Sequence, residues 1–186
     1  MESRRVGDSG LVVSRLGLGT LTWGRDTAED AARGLLETFC EAGGTLIDTA
    51  AAYGAGDAER LVGRLVDEVT SRDEVVIASK AGFVVRHGER VVDTSRRALL
   101  RDLDASLTRL GTDHLDLWQV HAWGDAPLEE SLSAIDQAVA SGRVRYAGVS
   151  NFVGWQTAQS ATWQRAVPGR SPLVSAQVEY SLLARR

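Results

Sequence analysis

The sequence predicts an α/β protein, a (β/α)8 barrel of the TIM type with an N-terminal β-hairpin, carrying about six of the eight strand–helix units. Three observations lead there. Short apolar runs alternate with amphipathic helical stretches about 30 residues apart, which requires crossover helices and a parallel sheet. The turn after the first barrel strand, "GLGTLTWG", lacks the G-x-G-x-x-G spacing of a doubly wound dinucleotide-binding sheet, the other architecture that fits the alternation. Polar residues recur at the C-terminal ends of successive strands, the rim where such barrels carry their function.

The elements follow in order. "RRVGDSGLVVSRLGLG" sets two apolar runs around Asp8-Ser9-Gly10, a turn signal that predicts the hairpin, and its end, "RLGLG" (15–19), is the first barrel strand. "TAEDAARGLLETFCEAGG" is a helix with Ala32, Leu35, Leu36 and Phe39 on one face. Thr27 and Asp30 give it a start resembling a capping box, and Gly43-Gly44 a stop. "GTLID" (44–48) is the second strand; "DAERLVGRLVDEV" repeats the helical period with Leu61, Val62, Leu65, Val66 and Val69. "EVVIASK" (74–80) is the third, followed by a loop over 82–93 long enough for a substrate lid. The helix "TSRRALLRDLDASLTRLG" closes at Gly111, and "HLDLWQVH" (114–121) is the fourth strand. "PLEESLSAIDQAVASG" runs from Pro127 to Gly142, and "VRYAGVS" (144–150) is the fifth strand. "SNFVGWQTAQSATWQRA" is a helix ending before Pro168, and "PLVSAQVEY" (172–180) is the sixth strand. A single domain over 1–186 is expected. A closed barrel takes eight units and about 250 residues, so the chain reads as a fragment with two open parallel edges.

Composition bounds the function. The chain of 186 residues is 44% hydrophobic and 25% charged with a net charge of −4, its arginines scattered, which argues against a nucleic-acid face. No run approaches the ~20 apolar residues of a membrane span, and "MESRRVGDSG" has no apolar core segment. The single cysteine, Cys40, lies among apolar helix positions and fits a reducing cytoplasm. The expectation is a cytoplasmic protein acting on a small molecule, with no nucleic-acid or membrane partner and its oligomeric state open.

The strand ends carry chemistry. Asp48, Lys80, His121, Ser150-Asn151 and Gln177 close strands two to six, and Tyr53 lies in the loop just past Asp48. Lys80 is the one lysine among 21 Lys and Arg residues. A lysine ammonium is compact where a guanidinium is broad and forked. A phenol is a poor acid near neutrality, with an ordinary pKa of about 10. An ammonium beside it stabilises its ionised form, and a carboxylate beyond keeps the ammonium charged and fixed. Asp48, Lys80 and Tyr53 thus suit a proton donor or acceptor, and His121 a hydrogen bond to a substrate oxygen or a proton relay. His87 and His114 read as solvated or structural. Trp23 and Trp123 are candidates both for a substrate-pocket wall and for packing, Trp155 and Trp163 for packing. No His, Cys, Asp and Glu cluster has metal-ligand spacing.

"LIDTAAAYG", "IASKAG", "LDLWQVH", "GVSNF" and "AQVEYSLL" resemble, in order and spacing, successive motifs of the aldo-keto reductase superfamily. The resemblance covers essentially the whole chain. It implies Tyr53 as general acid, Lys80 and Asp48 as tuners of its acidity, and His121 as the group that orients a carbonyl. It implies that Ser150, Asn151 and Gln177 bind a nicotinamide carboxamide, with Gly19, Thr20 and Asp48 also in the cofactor site. The implied reaction is hydride transfer from NADPH, or alternatively NADH, to an aldehyde or ketone, reversible as alcohol oxidation. The loops after strands seven and eight, which in the family grip the dinucleotide phosphates, lie outside these residues. Two other readings stay open: a non-catalytic nicotinamide sensor or regulatory subunit, and a Schiff-base lyase using Lys80.

Overall fold

A computed structural model describes residues 1–185. Six parallel strands form one sheet in the spatial order β10-β9-β8-β5-β4-β3: β3 Gly17–Gly19, β4 Leu46–Asp48, β5 Val76–Ala81, β8 Leu115–Val120, β9 Val144–Ser150 and β10 Leu173–Gln177. Each is linked to the next by a helix: α1 Glu29–Glu41, α2 Asp57–Val69, α3 Arg96–Leu110, α4 Leu128–Ala140 and α5 Gly154–Ala166. The sheet curls as an incomplete (β/α)8 barrel. Among the described residues the outer edges of β3 and β10 pair with no further strand.

Alternation along each strand sorts side chains into two layers. Ile47, Ile77, Trp118, Val120, Ala147 and Val149 face outward and pack under the helices, where Leu36, Leu61, Leu65, Leu99, Leu103, Leu132 and Ile135 meet them. Ala78 and Leu117 face inward, with Leu46, Val76, Tyr146 and Val174 packed around them. The hairpin of β1 (Ser3–Arg5) and β2 (Val12–Ser14) seals that inner layer from below with Leu11 and Val13. Ser14 fastens it to the start of β4: its backbone N–H donates to Thr45 Oγ1 at 2.9 Å, and its Oγ accepts from the Thr45 and Leu46 amides.

Several boundaries differ from the sequence expectation. Strands two and six shrink to Leu46–Asp48 and Leu173–Gln177, where their ladder pairing with the neighbouring strands begins and ends. Helix α1 is capped by Ala28 with no side-chain bond; Thr27 instead spends its hydroxyl on Thr22 at 2.8 Å. Leu35 is half exposed, so the buried stripe of α1 is Ala32 and Leu36. The segment after Lys80 is a second hairpin, β6 Phe83–Arg86 and β7 Glu89–Val92, turned by His87 and Gly88. Both turn residues have positive φ, 53° and 83°, the backbone of a two-residue hairpin turn. Alternation in "FVVRHGERVV" is too weak to separate such a ribbon from a loop.

Candidate functional site

Asp48 and Lys80 face inward because they continue the inward registers of Leu46 and of Val76 and Ala78. The parallel ladder then sets Asp48 between Gly19 and Ala78, and Lys80 beside Gln119. Lys80 is 1% exposed, and its ammonium spends its donors nearby. It donates to both Asp48 oxygens at 2.7 and 2.8 Å, to the Thr49 carbonyl at 3.1 Å and to Tyr53 Oη at 3.4 Å. A buried ammonium is tolerable only when paired in this way.

Tyr53 begins a 3₁₀ turn, Tyr53–Gly56, with its amide bonded to the Ala50 carbonyl. The three residues after it, Gly54, Ala55 and Gly56, have φ of 55°, 53° and 95°. That left-handed run reverses the chain into α2 while leaving the Tyr53 ring beside His121 (centroids 5.9 Å apart, edge on). His121 follows β8 and is anchored by its amide to the Ala81 carbonyl at 2.8 Å. Phe83 also meets the imidazole in an edge arrangement, at 4.8 Å between centroids. Burial, then the charges of Lys80 and Arg90, push His121 down to about 3, so the ring is neutral at ordinary pH. Its Nδ1 is buried without a hydrogen-bond partner among the described residues.

The amide and hydroxyl groups lie on the neighbouring strands. Asn151 Nδ2 donates to the His121 carbonyl at 2.9 Å and to Ser150 Oγ at 3.1 Å, and its amide N–H to the Gln177 carbonyl at 2.9 Å. Asn151 has φ 56°, a conformation asparagine tolerates better than most side chains. Gln177 Nε2 reaches Asp48 Oδ2 at 3.2 Å, and Thr20 donates from both N and Oγ1 to the Asp48 carbonyl. Asp48, Gly19 and Gln177 border an inner cleft of about 460 Å³, and a methyl at Gly19 would touch nothing within 4 Å. Ser150, Asn151 and Gln177 together offer donors and acceptors on adjacent strand ends. That matches a carboxamide, which accepts at oxygen and donates at nitrogen, so these residues fit a nicotinamide.

Among the tryptophans, Trp155 departs from expectation. Trp23 is 1% exposed within the helix–sheet layer, so packing is what its surroundings express. Trp123 is half-buried and meets Phe152 and Trp155 edge on, each at 5.2 Å. Trp155, expected to pack, is 61% exposed and forms the outer member of this cluster. Sequence reasoning also missed Phe83 and a fully buried carboxylate, Glu59 on α2. Glu59 accepts from Ser79 Oγ at 2.6 Å and from Arg109 Nε at 2.7 Å. The available signal was its spacing to Val62 and Val66, three and seven residues on, which puts it on the apolar face. No group of three or more His, Cys, Asp or Glu residues among those described is disposed to hold a metal ion.

Comparison with known proteins adds an independent finding. The signature of the Aldo/keto reductase family matches residues 15–186. Aldo-keto reductase YhdN of Bacillus subtilis is 36% identical over 192 residues, covering 100% of this chain and 55% of that protein. L-glyceraldehyde 3-phosphate reductase of Escherichia coli is 35% identical, covering 100% of this chain and 55% of its own. The solved structure of aldo-keto reductase AKR11C1 from Bacillus halodurans, in its holo form, superposes with a TM-score of 0.80 at 31% identity, over 97% of this chain and 58% of that one. The chain thus spans about half the length of the curated relatives it matches.

Proposed function

The chain belongs to the aldo/keto reductase family, and on that footing we propose that it reduces aldehydes or ketones with a reduced nicotinamide cofactor, NADPH by preference. The observation that carries the reading is the Lys80 ammonium, which bridges Asp48 at 2.7 Å and the Tyr53 hydroxyl at 3.4 Å. Tyr53 then gives its proton to the carbonyl oxygen, while Lys80 stabilises the phenolate left behind and Asp48 holds Lys80 in place. Neutral His121 serves as a hydrogen-bonding group that orients the carbonyl through its one N–H, because it takes up no second proton near neutrality. Ser150, Asn151 and Gln177 hold the nicotinamide carboxamide, with Gly19 and Thr20 beside them. Bound there, the reduced nicotinamide supplies the hydride and its electron pair to the carbonyl carbon. Phe83, Trp123 and the hairpin β6–β7 flank the substrate side. Lys80 already donates to two carboxylate oxygens, which is at odds with the free amine a Schiff-base lyase needs.

The same proposal takes residues 1–186 as one domain and, with its single cysteine Cys40 unpaired, a cytoplasmic setting. No helix among the described residues is long and apolar enough to cross a membrane. The test is loss of reduced-cofactor absorbance on mixing the intact protein with NADPH and a reactive aldehyde. Turnover that falls about 100-fold or more in Tyr53→Phe supports the reading. No turnover over a broad carbonyl panel, with cofactor still bound, would transfer the assignment to a nicotinamide sensor.

A further inference from the structure

A cleft of about 440 Å³ lies between the Tyr53 loop and the hairpin β6–β7, walled by Ala51, Ala52, Phe83, Arg86, Arg90 and Arg109. Its arginines differ in one respect. Arg86 is paired with Asp93, Arg101 with Asp102 at 2.9 Å and Arg109 with Glu59 at 2.6 Å. Arg90 makes no ion pair among the described residues. Its guanidinium carbon instead rests 3.7 Å from the centroid of the Phe83 ring, and Phe83 meets His121 edge on. Contact with the Phe83 ring restrains the guanidinium, and its N–H groups are spent on no ion pair among the described residues, which leaves the fork to grip a carboxylate or phosphate with two parallel bonds. The charge is also felt at the chemistry, since Arg90 is among the causes that disfavour a proton on His121.

We propose that Arg90, seated on Phe83, is an anion subsite of the active site, and that the preferred substrates are carbonyl compounds bearing a carboxylate or phosphate group. This rests on the reductase reading above. A surface arginine would ordinarily be solvated and mobile; this one is docked on the residue that also packs against His121. An acidic aldehyde whose carbonyl reaches Tyr53 and His121 would extend its anion past Phe83 to Arg90. Neutral carbonyls lack that handle.

The intact protein is assayed with matched pairs: butanal against 4-oxobutanoate, and glyceraldehyde against glyceraldehyde 3-phosphate. The expected result is kcat/KM about tenfold higher or more for at least one acidic partner, carried by KM and weakened by salt. Which pair shows it separates carboxylate from phosphate. Arg90→Gln should lower the acidic-to-neutral ratio by about tenfold or more, Arg90→Lys by less, and Arg145→Gln, on another face, not at all. Equal kcat/KM within both pairs, or an unchanged ratio in Arg90→Gln, overturns the proposal. A rise in the KM for NADPH in place of the ratio change would assign Arg90 to a cofactor phosphate and overturns it too. If no aldehyde turns over, the reductase reading fails separately. Calorimetric titration of 4-hydroxybutanoate and inorganic phosphate then decides the subsite, with weaker binding to Arg90→Gln supporting it and equal or no binding overturning it.

Discussion

Arg109 closes on Glu59 from α3 to α2, its Nε at 2.7 Å and its Nη2 at 2.6 Å from one carboxylate oxygen, and the carboxylate is fully buried. The other oxygen accepts from Ser79, the residue before Lys80. The same arginine lies under Gly56, where a methyl would meet its Cδ at 2.6 Å. One pair therefore joins the strand carrying Lys80 to the turn leaving Tyr53. Removing the cation strands a buried charge. Arg109→Leu should cost about 3–5 kcal/mol in urea unfolding, whereas Glu59→Met with Arg109→Leu should cost much less. A double variant as unstable as the single one would show that the pair, not the stranded carboxylate, sets the cost.

Lys80→Arg keeps the charge and should still lose most of the activity. The site gives the cation room for one compact head between Asp48, Thr49 and Tyr53, all within 3.4 Å of Nζ. A planar fork placed there pushes the phenol or the carboxylate aside. The expected drop in kcat is about 100-fold or more with little change in KM. Retained kcat would mean that charge alone suffices.

His121 gives the fold a pH dependence. Its folded-state value is lowered to about 3 from the ordinary 6.5. Between those values the unfolded chain binds a proton that the folded one refuses. Its contribution to stability is therefore full above about pH 6.5 and is lost as pH falls toward 3. The wild type should lose more stability than His121→Gln between pH 7 and 4, read as parallel urea titrations. Identical pH profiles for the two proteins would contradict the buried, neutral imidazole.

Gly63→Ala sets two effects against each other. Alanine in mid-helix favours α2 by about 1 kcal/mol over glycine. Here, however, its methyl would lie 2.5 Å from the Leu110 carbonyl oxygen of α3. That neighbour is backbone and cannot swing away, so the two helices must part. The net effect should be destabilising by about 1–3 kcal/mol, visible as a lower Tm. A raised Tm would show that α2 and α3 separate at no cost.

The strand–helix order, the parallel sheet and the polar residues at the strand ends were legible because each follows from chain period alone. Lys80 was conspicuous as the lone lysine, and Asp48 as the end of an apolar run. Tertiary company was not legible. The hairpin β6–β7 depends on a turn through His87, whose positive φ no side-chain pattern announces. Glu59 looks like any helix-surface acid until α3 supplies Arg109. Trp23 and Trp155 differ only in what covers them, which sequence spacing leaves open.

Asn151 and Gln177 are already employed, one on the His121 carbonyl and Ser150, the other on Asp48. An incoming carboxamide would have to win these side chains from their current partners, trading bond for bond. Such exchanges yield little net affinity. The strand-end amides would therefore act less as an anchor than as a latch, which releases its hold near His121 and Asp48 as the ring arrives. Tight binding would have to be won elsewhere along the dinucleotide.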